Sequence, residues 1–180
     1  MQTYTLIAHP DFPARNIRSV EARIIGHDRQ WLRLRWRLEG GQDLVIPPFA
    51  GRGRADELWQ STCFEAFLQP LGGQTYVELN LSPSERWAAY DFDAPRENMR
   101  ERAFPHEPDC TIRQGSNMVI FDAAIPDDGL PDAPCAMGIG AVLEETDGVK
   151  SYWALSHGDG APDFHDPTCF TARLDAPEHS

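Results

Sequence analysis

Gln30-Trp31-Leu32-Arg33-Leu34-Arg35-Trp36-Arg37-Leu38 decides the fold class. Leu32, Leu34, Trp36 and Leu38 alternate with Trp31, Arg33, Arg35 and Arg37. Period two over this length predicts a strand with one buried face and one wet, basic face. Trp36 falls on the core side, and Trp31 falls where arginine side chains can stack on it. Upstream, Ile17 to Ile25 reads as the preceding strand with Gly26-His27-Asp28 in the turn, and Thr3 to Ala8 as an edge strand. Downstream, Thr62 to Gln69 and Thr75 to Leu81 flank Pro70-Leu71-Gly72-Gly73, a hairpin link. Arg86 to Phe92, Cys110 to Arg113, Asn117 to Ile125, Cys135 to Leu143, Ser151 to His157 and Cys169 to Leu174 continue the series. Only Pro95 to Ala103 suggests a short helix, because Arg96 with Arg100 and Glu97 with Glu101 recur at helical spacing. Many short strands between turn signals predict an all-β chain, a two-layer antiparallel β-sandwich.

Composition agrees with that reading. The 180 residues fit one domain, read as 1–174 with a loose tail at 175–180. Hydrophobic residues make up 41%, enough for a core. The 14 glycines and 15 prolines leave little room for long helices. Asp and Glu number 28 against 16 Lys and Arg, a net charge of −12. That surface argues against nucleic acid and anionic membranes as partners and names no protein partner. No apolar run is long enough to span a membrane, and no secretory signal is read at the N-terminus, so a cytoplasmic location is expected. Cys63, Cys110, Cys135 and Cys169 form no CxxC pair and read as buried free thiols.

The hairpin carries the chemistry. Phe64, Ala66 and Leu68 share one face of the first strand, as do Val77, Leu79 and Leu81 in the second. Cys63, Glu65, Phe67 and Gln69 then share the other face with Tyr76, Glu78 and Asn80. A four-residue link sets Gln69 against Gln74 and Glu65 against Glu78, with Cβ atoms roughly 5 Å apart. Two carboxylates so close resist double ionisation.

Leu58-Trp59-Gln60-Ser61-Thr62-Cys63-Phe64-Glu65-Ala66-Phe67-Leu68 resembles the "W…D-x-x-E-x-F" strand of the superfamily that unites DOMON-like domains with family 9 carbohydrate-binding modules. Tyr76-Val77-Glu78-Leu79-Asn80-Leu81-Ser82-Pro83-Ser84 is similar to its "Y-x-E-x-x-x-S-P" strand. Tyr152 to His157 and Pro162-Asp163-Phe164-His165 resemble the C-terminal signature of bacterial DOMON-like proteins. The resemblance implies a sandwich of jelly-roll or immunoglobulin type that binds a sugar rather than catalysing a reaction. It places Trp59 as an aromatic platform, Glu65 as a hydrogen-bonding acid, Arg86 as a hydrogen-bonding arginine and Trp153 as a second platform. Glu78 and Asn80 join them from the hairpin face, giving the apolar wall and few fixed polar groups of a small-molecule site. Arg33, Arg35, Arg37, Arg52, Arg54 and Arg86 are expected to gather near this half of the molecule.

Other chemistries stay open at this level. DOMON branches that bind haem use a Met and a His, and Met99, Met118 and Met137 stand beside His106, His157 and His165. Asp159, Asp163 and Asp166 offer oxygen ligands for calcium without matching an EF-hand loop. A glycosidase would use Glu65 and Glu78 as its carboxylate pair, which retention requires about 5–5.5 Å apart. No GxSxG, HExxH, P-loop or GxGxxG motif occurs.

Overall fold

The computed structural model describes residues 1–179. Thirteen strands follow one another: β1 (Gln2–Ala8), β2 (Ser19–His27), β3 (Trp31–Glu39), β4 (Gly53–Arg54), β5 (Cys63–Pro70), β6 (Tyr76–Leu81), β7 (Arg86–Phe92), β8 (Arg100–Glu101), β9 (Asp109–Gln114), β10 (Met118–Pro126), β11 (Cys135–Glu144), β12 (Lys150–Ala154) and β13 (Ala172–Leu174). Short 3₁₀ turns are the helical elements among the described residues. One layer orders as β1-β2-β3-β10-β9 and the other as β4-β7-β6-β5-β11-β12, with β8 on β7 and β13 on β11. Strand β1 joins the layers: Gln2 to Leu6 pair with β2, whereas Ile7 and Ala8 pair with β12. All pairings are antiparallel except β4 with β7.

The alternation works as the sequence predicts. Leu32, Leu34, Trp36 and Leu38 enter the core with Phe64, Ala66 and Leu68 from β5 and Val77, Leu79 and Leu81 from β6. Phe64 of one layer stacks on Phe121 of the other, centroids 4.2 Å apart at 11°, and Trp36 leans on both. Burying a large apolar side chain contributes roughly 1.5–3 kcal/mol, so these rings tie the layers together. Trp36 Nε1 finds no hydrogen-bond partner. All four cysteines are buried and unpaired.

Several boundaries differ from the sequence reading for local reasons. Strand β2 runs on through His27 because a bulge between Ile24 and Gly26 absorbs one residue. The turn is made instead by Asp28, whose carboxylate accepts from the backbone of Gln30 and Trp31. The β5–β6 pairing is shifted by two residues: Leu68 faces Val77, Glu65 faces Asn80 and Phe67 faces Glu78. An even shift keeps every side chain on its expected face, so Glu65 and Glu78 become diagonal neighbours. No helix forms at 95–103. Arg96 and Asn98 adopt left-handed backbone, and Arg100 pairs with Asp93. Cys169 closes a 3₁₀ turn, Pro167–Cys169, and the strand expected from it begins only at Ala172. Residues 175–179 fold back on the β2–β3 turn, where Glu178 N–H donates to the His27 carbonyl at 2.9 Å.

Candidate ligand-binding site

The outer face of the second layer carries a cavity of about 660 Å³. Its floor is the face predicted from the hairpin. Glu65 rises from β5, Glu78 and Asn80 from β6, Tyr90 and Phe92 from β7, Val142 from β11 and Tyr152 from β12. Strand register explains the grouping. Paired residues share a face, and Glu78 pairs with Tyr90, while Cys63 pairs with Val142 and Val142 with Tyr152. Three loops make the walls, bringing Asp56, Glu57 and Trp59, then Arg96 and Met99, then Pro162, Phe164 and His165. Glu57 and Arg96 hold left-handed backbone at the rim, φ 58° each, a conformation that costs non-glycine residues about 1 kcal/mol or more. Beneath the His165 loop, Phe67, Tyr76, Phe92 and Phe170 form a second aromatic cluster.

The polar floor is shielded from bulk solvent. Glu65, Glu78 and Asn80 are all buried. Burial first, and then the neighbouring Glu78, push the Glu65 carboxyl well above the ordinary range. Burial pushes Glu78 up to about 7 against a hydrogen bond from Asn80 and the charge of Arg96. Near neutrality the pair therefore retains a proton. Arg96 does not neutralise it, because its guanidinium lies on Asp163 at 3.0 Å. Asn80 Oδ1 has no hydrogen-bond partner.

His165 is fixed by a chain of hydrogen bonds. Arg96 N–H donates to Tyr76 Oη at 3.0 Å, which leaves the hydroxyl proton for His165 Nδ1 at 2.7 Å. With Nδ1 accepting, Nε2 carries the proton and lies 3.4 Å from Glu78 Oε2, a close approach without hydrogen-bond geometry. Burial, and then Arg96, lower the imidazole to about 4, so it is a neutral donor. Tyr90 donates its hydroxyl to Asp56, securing the wall next to Trp59.

Of the residues singled out from sequence, Trp59, Glu65, Glu78 and Asn80 come together here. Trp59 stands 52% exposed at the rim. Trp153 does not join them. It pairs with Ala141, which pairs with Phe64, so parity turns it into the core, where it is 6% exposed and its Nε1 donates to Ser151. Its neighbour Tyr152 takes the cavity side. Arg86 also lies outside the lining. Its guanidinium donates to the Ala50 and Arg54 carbonyls at 2.7 and 3.4 Å and so braces the loop that leads to Trp59. Arg33, Arg35 and Arg37 sit on the outer face of the other layer, paired with Asp28, Asp122 and Glu21. Arg54 lies 4.2 Å over the Trp87 ring, the stacking expected at Trp31.

Sequence reasoning missed Tyr90, Phe92, Tyr152, Phe164 and His165 as lining residues. Tyr90 and Phe92 were findable, since their spacing of two sets both on the Glu78 face once the strands pair. Phe164 and His165 lie on an aperiodic loop, which the resemblance of Pro162 to His165 to a C-terminal signature marked without giving it a place in the site.

The side chains considered as metal ligands have other partners. Met99 and His165 both line the cavity, with His165 Nδ1 held by the Tyr76 hydroxyl and Nε2 facing Glu78. His157 donates Nε2 to the Ile7 carbonyl, and His106 pairs with Asp128. Asp163 serves Arg96 and the His165 backbone, and Asp166 caps the turn at Thr168. Among the described residues no group of three or more His, Cys, Asp or Glu is placed to hold a metal ion. None of the helices described is long and apolar enough to cross a membrane.

No family model matches the chain, and no curated protein matches it. Solved structures do. A "putative carbohydrate-binding protein" from Bacteroides uniformis superimposes with a TM-score of 0.69 at 17% identity, over 94% of this chain and 84% of that one. A family 9 carbohydrate-binding module from Caldicellulosiruptor kristjanssonii, in complex with glucose, gives 0.50 at 10% identity, over 93% and 81%. At such identities the likeness is one of fold, and the fold of this chain is the β-sandwich of family 9 carbohydrate-binding modules.

Proposed function

We propose that this chain is a non-catalytic binding module for a carbohydrate or a glycan-derived small molecule. The carrying observation is the cavity itself, where an exposed Trp59 and the rings of Tyr90, Phe92 and Tyr152 surround the buried polar trio Glu65, Glu78 and Asn80. A sugar ring presents an apolar C–H face to aromatic walls and hydroxyls to planar polar groups, and this cavity offers both. The fold likeness to a "putative carbohydrate-binding protein" and to a family 9 carbohydrate-binding module supports the same reading. Glu65 and Glu78 rise from adjacent strands of one floor, so they approach a bound ring from one side. A glycosidase pair must flank the scissile bond.

Calorimetric titration of the full chain against neutral and amino-bearing mono- and disaccharides tests this. Saturable binding that weakens in Trp59→Ala is the expected result. No heat from any saccharide at millimolar concentration would overturn it, and turnover of aryl glycosides that disappears in Glu65→Gln would replace it with an enzyme.

A further inference from the structure

The cavity floor is rich in acceptors and poor in charge compensation. Glu65, Glu78 and Asn80 Oδ1 share one buried face, and Asn80, 2% exposed, leaves that oxygen unpartnered. The groups facing the two carboxylates are Cys63 from β5, Tyr76 from β6, Tyr90 from β7, and Asp56, Glu57, Arg96 and His165 from the loops. Only Arg96 among them is cationic, and Asp163 holds it. The floor thus presents several acceptors to whatever enters. A sugar hydroxyl brings one donor, whereas an ammonium brings three donors and no acceptor. The surrounding rings of Trp59, Tyr90 and Phe92 suit an organic cation, which aromatic faces attract.

We propose, building on the saccharide reading above, that the cavity selects an amino-bearing saccharide, with its ammonium group seated among Glu65, Glu78 and Asn80 Oδ1 and its ring along the aromatic wall. The ammonium takes the place of the proton that the empty carboxylate pair retains. Binding therefore releases protons to the buffer.

The test is titration of the full chain with glucosamine, N-acetylglucosamine and glucose at about pH 6.5, where an amine of ordinary basicity is protonated. N-acetylglucosamine keeps the substituent and removes its charge. Glucosamine is expected to bind at least about tenfold more tightly than either neutral sugar, a difference of about 1.4 kcal/mol. Its binding enthalpy should also change with the ionisation heat of the buffer. In Glu78→Gln and Glu65→Gln, each checked for folding by thermal melting, the preference should fall to about twofold or less. Equal affinity for the three sugars, or tightest binding of N-acetylglucosamine, would overturn the inference while the saccharide reading stands. No binding of any of the three would overturn the reading and the inference with it.

Discussion

Glu65 and Asn80 face each other across β5 and β6, and Asn80 Oδ1 finds no partner on either strand. A buried acceptor left unsatisfied costs roughly 1–3 kcal/mol. Asn80→Ala spares that cost but also removes the amide's hydrogen bond to Glu78, so it should change stability by less than about 1 kcal/mol in chemical denaturation. The same substitution should weaken ligand binding by about 1 kcal/mol or more, a roughly fivefold or greater loss of affinity in calorimetry. A loss well beyond the worth of the one hydrogen bond to Glu78 would mean that the oxygen is already satisfied in the folded chain.

Thermal stability should fall as pH rises from about 6.5 to 8. Glu78 is raised from 4.5 to about 7 in the folded protein, so between those values the folded chain holds a proton that the unfolded chain has released. Stability from this group is present below the lower value and lost as pH passes the upper one, at up to about 1.4 kcal/mol per pH unit. His165 acts in the opposite sense. It is lowered from 6.5 to about 4, so its contribution grows with pH inside that window and is complete above it. Above 6.5 the carboxylate slope stands alone. Differential scanning calorimetry should show it in the native protein, and Glu78→Gln should flatten it. A slope that survives the substitution would point instead to general repulsion within the −12 surface.

The two tryptophans should separate binding from stability. Trp59 is 52% exposed, and Trp59→Ala should change stability by less than about 1 kcal/mol while weakening saccharide binding by roughly 1–2 kcal/mol. Trp153 is buried among both layers, and Trp153→Ala should cost roughly 3–5 kcal/mol in denaturation experiments. At temperatures where that variant remains folded, its affinity should stay within about twofold of the parent. The reverse pattern would exchange their roles.

The sequence made the faces legible and left the register open. Alternation assigned Leu32 to Leu38 and the β5–β6 hairpin correctly, because a half-buried strand separates polar from apolar with period two. The link at Pro70–Gly73 did not set the partner of Glu65, since loops of different length suit the same turn residues. The parity of Trp153 was hidden because β12 places an aromatic on each face, Tyr152 outward and Trp153 inward. The destination of Arg86 depends on carbonyls at Ala50 and Arg54, more than thirty residues away in sequence, which no local pattern encodes. The charge spacing at 95–103 resembled a helix, yet with left-handed backbone at Arg96 and Asn98 the segment sets Arg96 on Asp163 and Arg100 on Asp93.

Gly140 should prove essential to the closed side of the cavity. It pairs with Glu65 on one side and Ala154 on the other, and Phe164 lies directly over it. A β-carbon at this position would come within 3.1 Å of the Trp153 carbonyl oxygen and 3.3 Å of the Phe164 ring. The Trp153 carbonyl is backbone and gives only if β12 shifts, whereas the Phe164 ring can lift, and His165 is the next residue in that loop. Gly140→Ala should therefore lower stability by roughly 1–3 kcal/mol, the usual cost of overpacking. It should also weaken binding by loosening the Tyr76–His165 hydrogen bond at the cavity wall. Trimming the obstructing ring in Gly140→Ala/Phe164→Leu should recover part of the lost stability, a coupling expected only of side chains in contact. Strict additivity of the two substitutions in thermal melts would show that Phe164 is free to move away and that the wall is not clamped at this point.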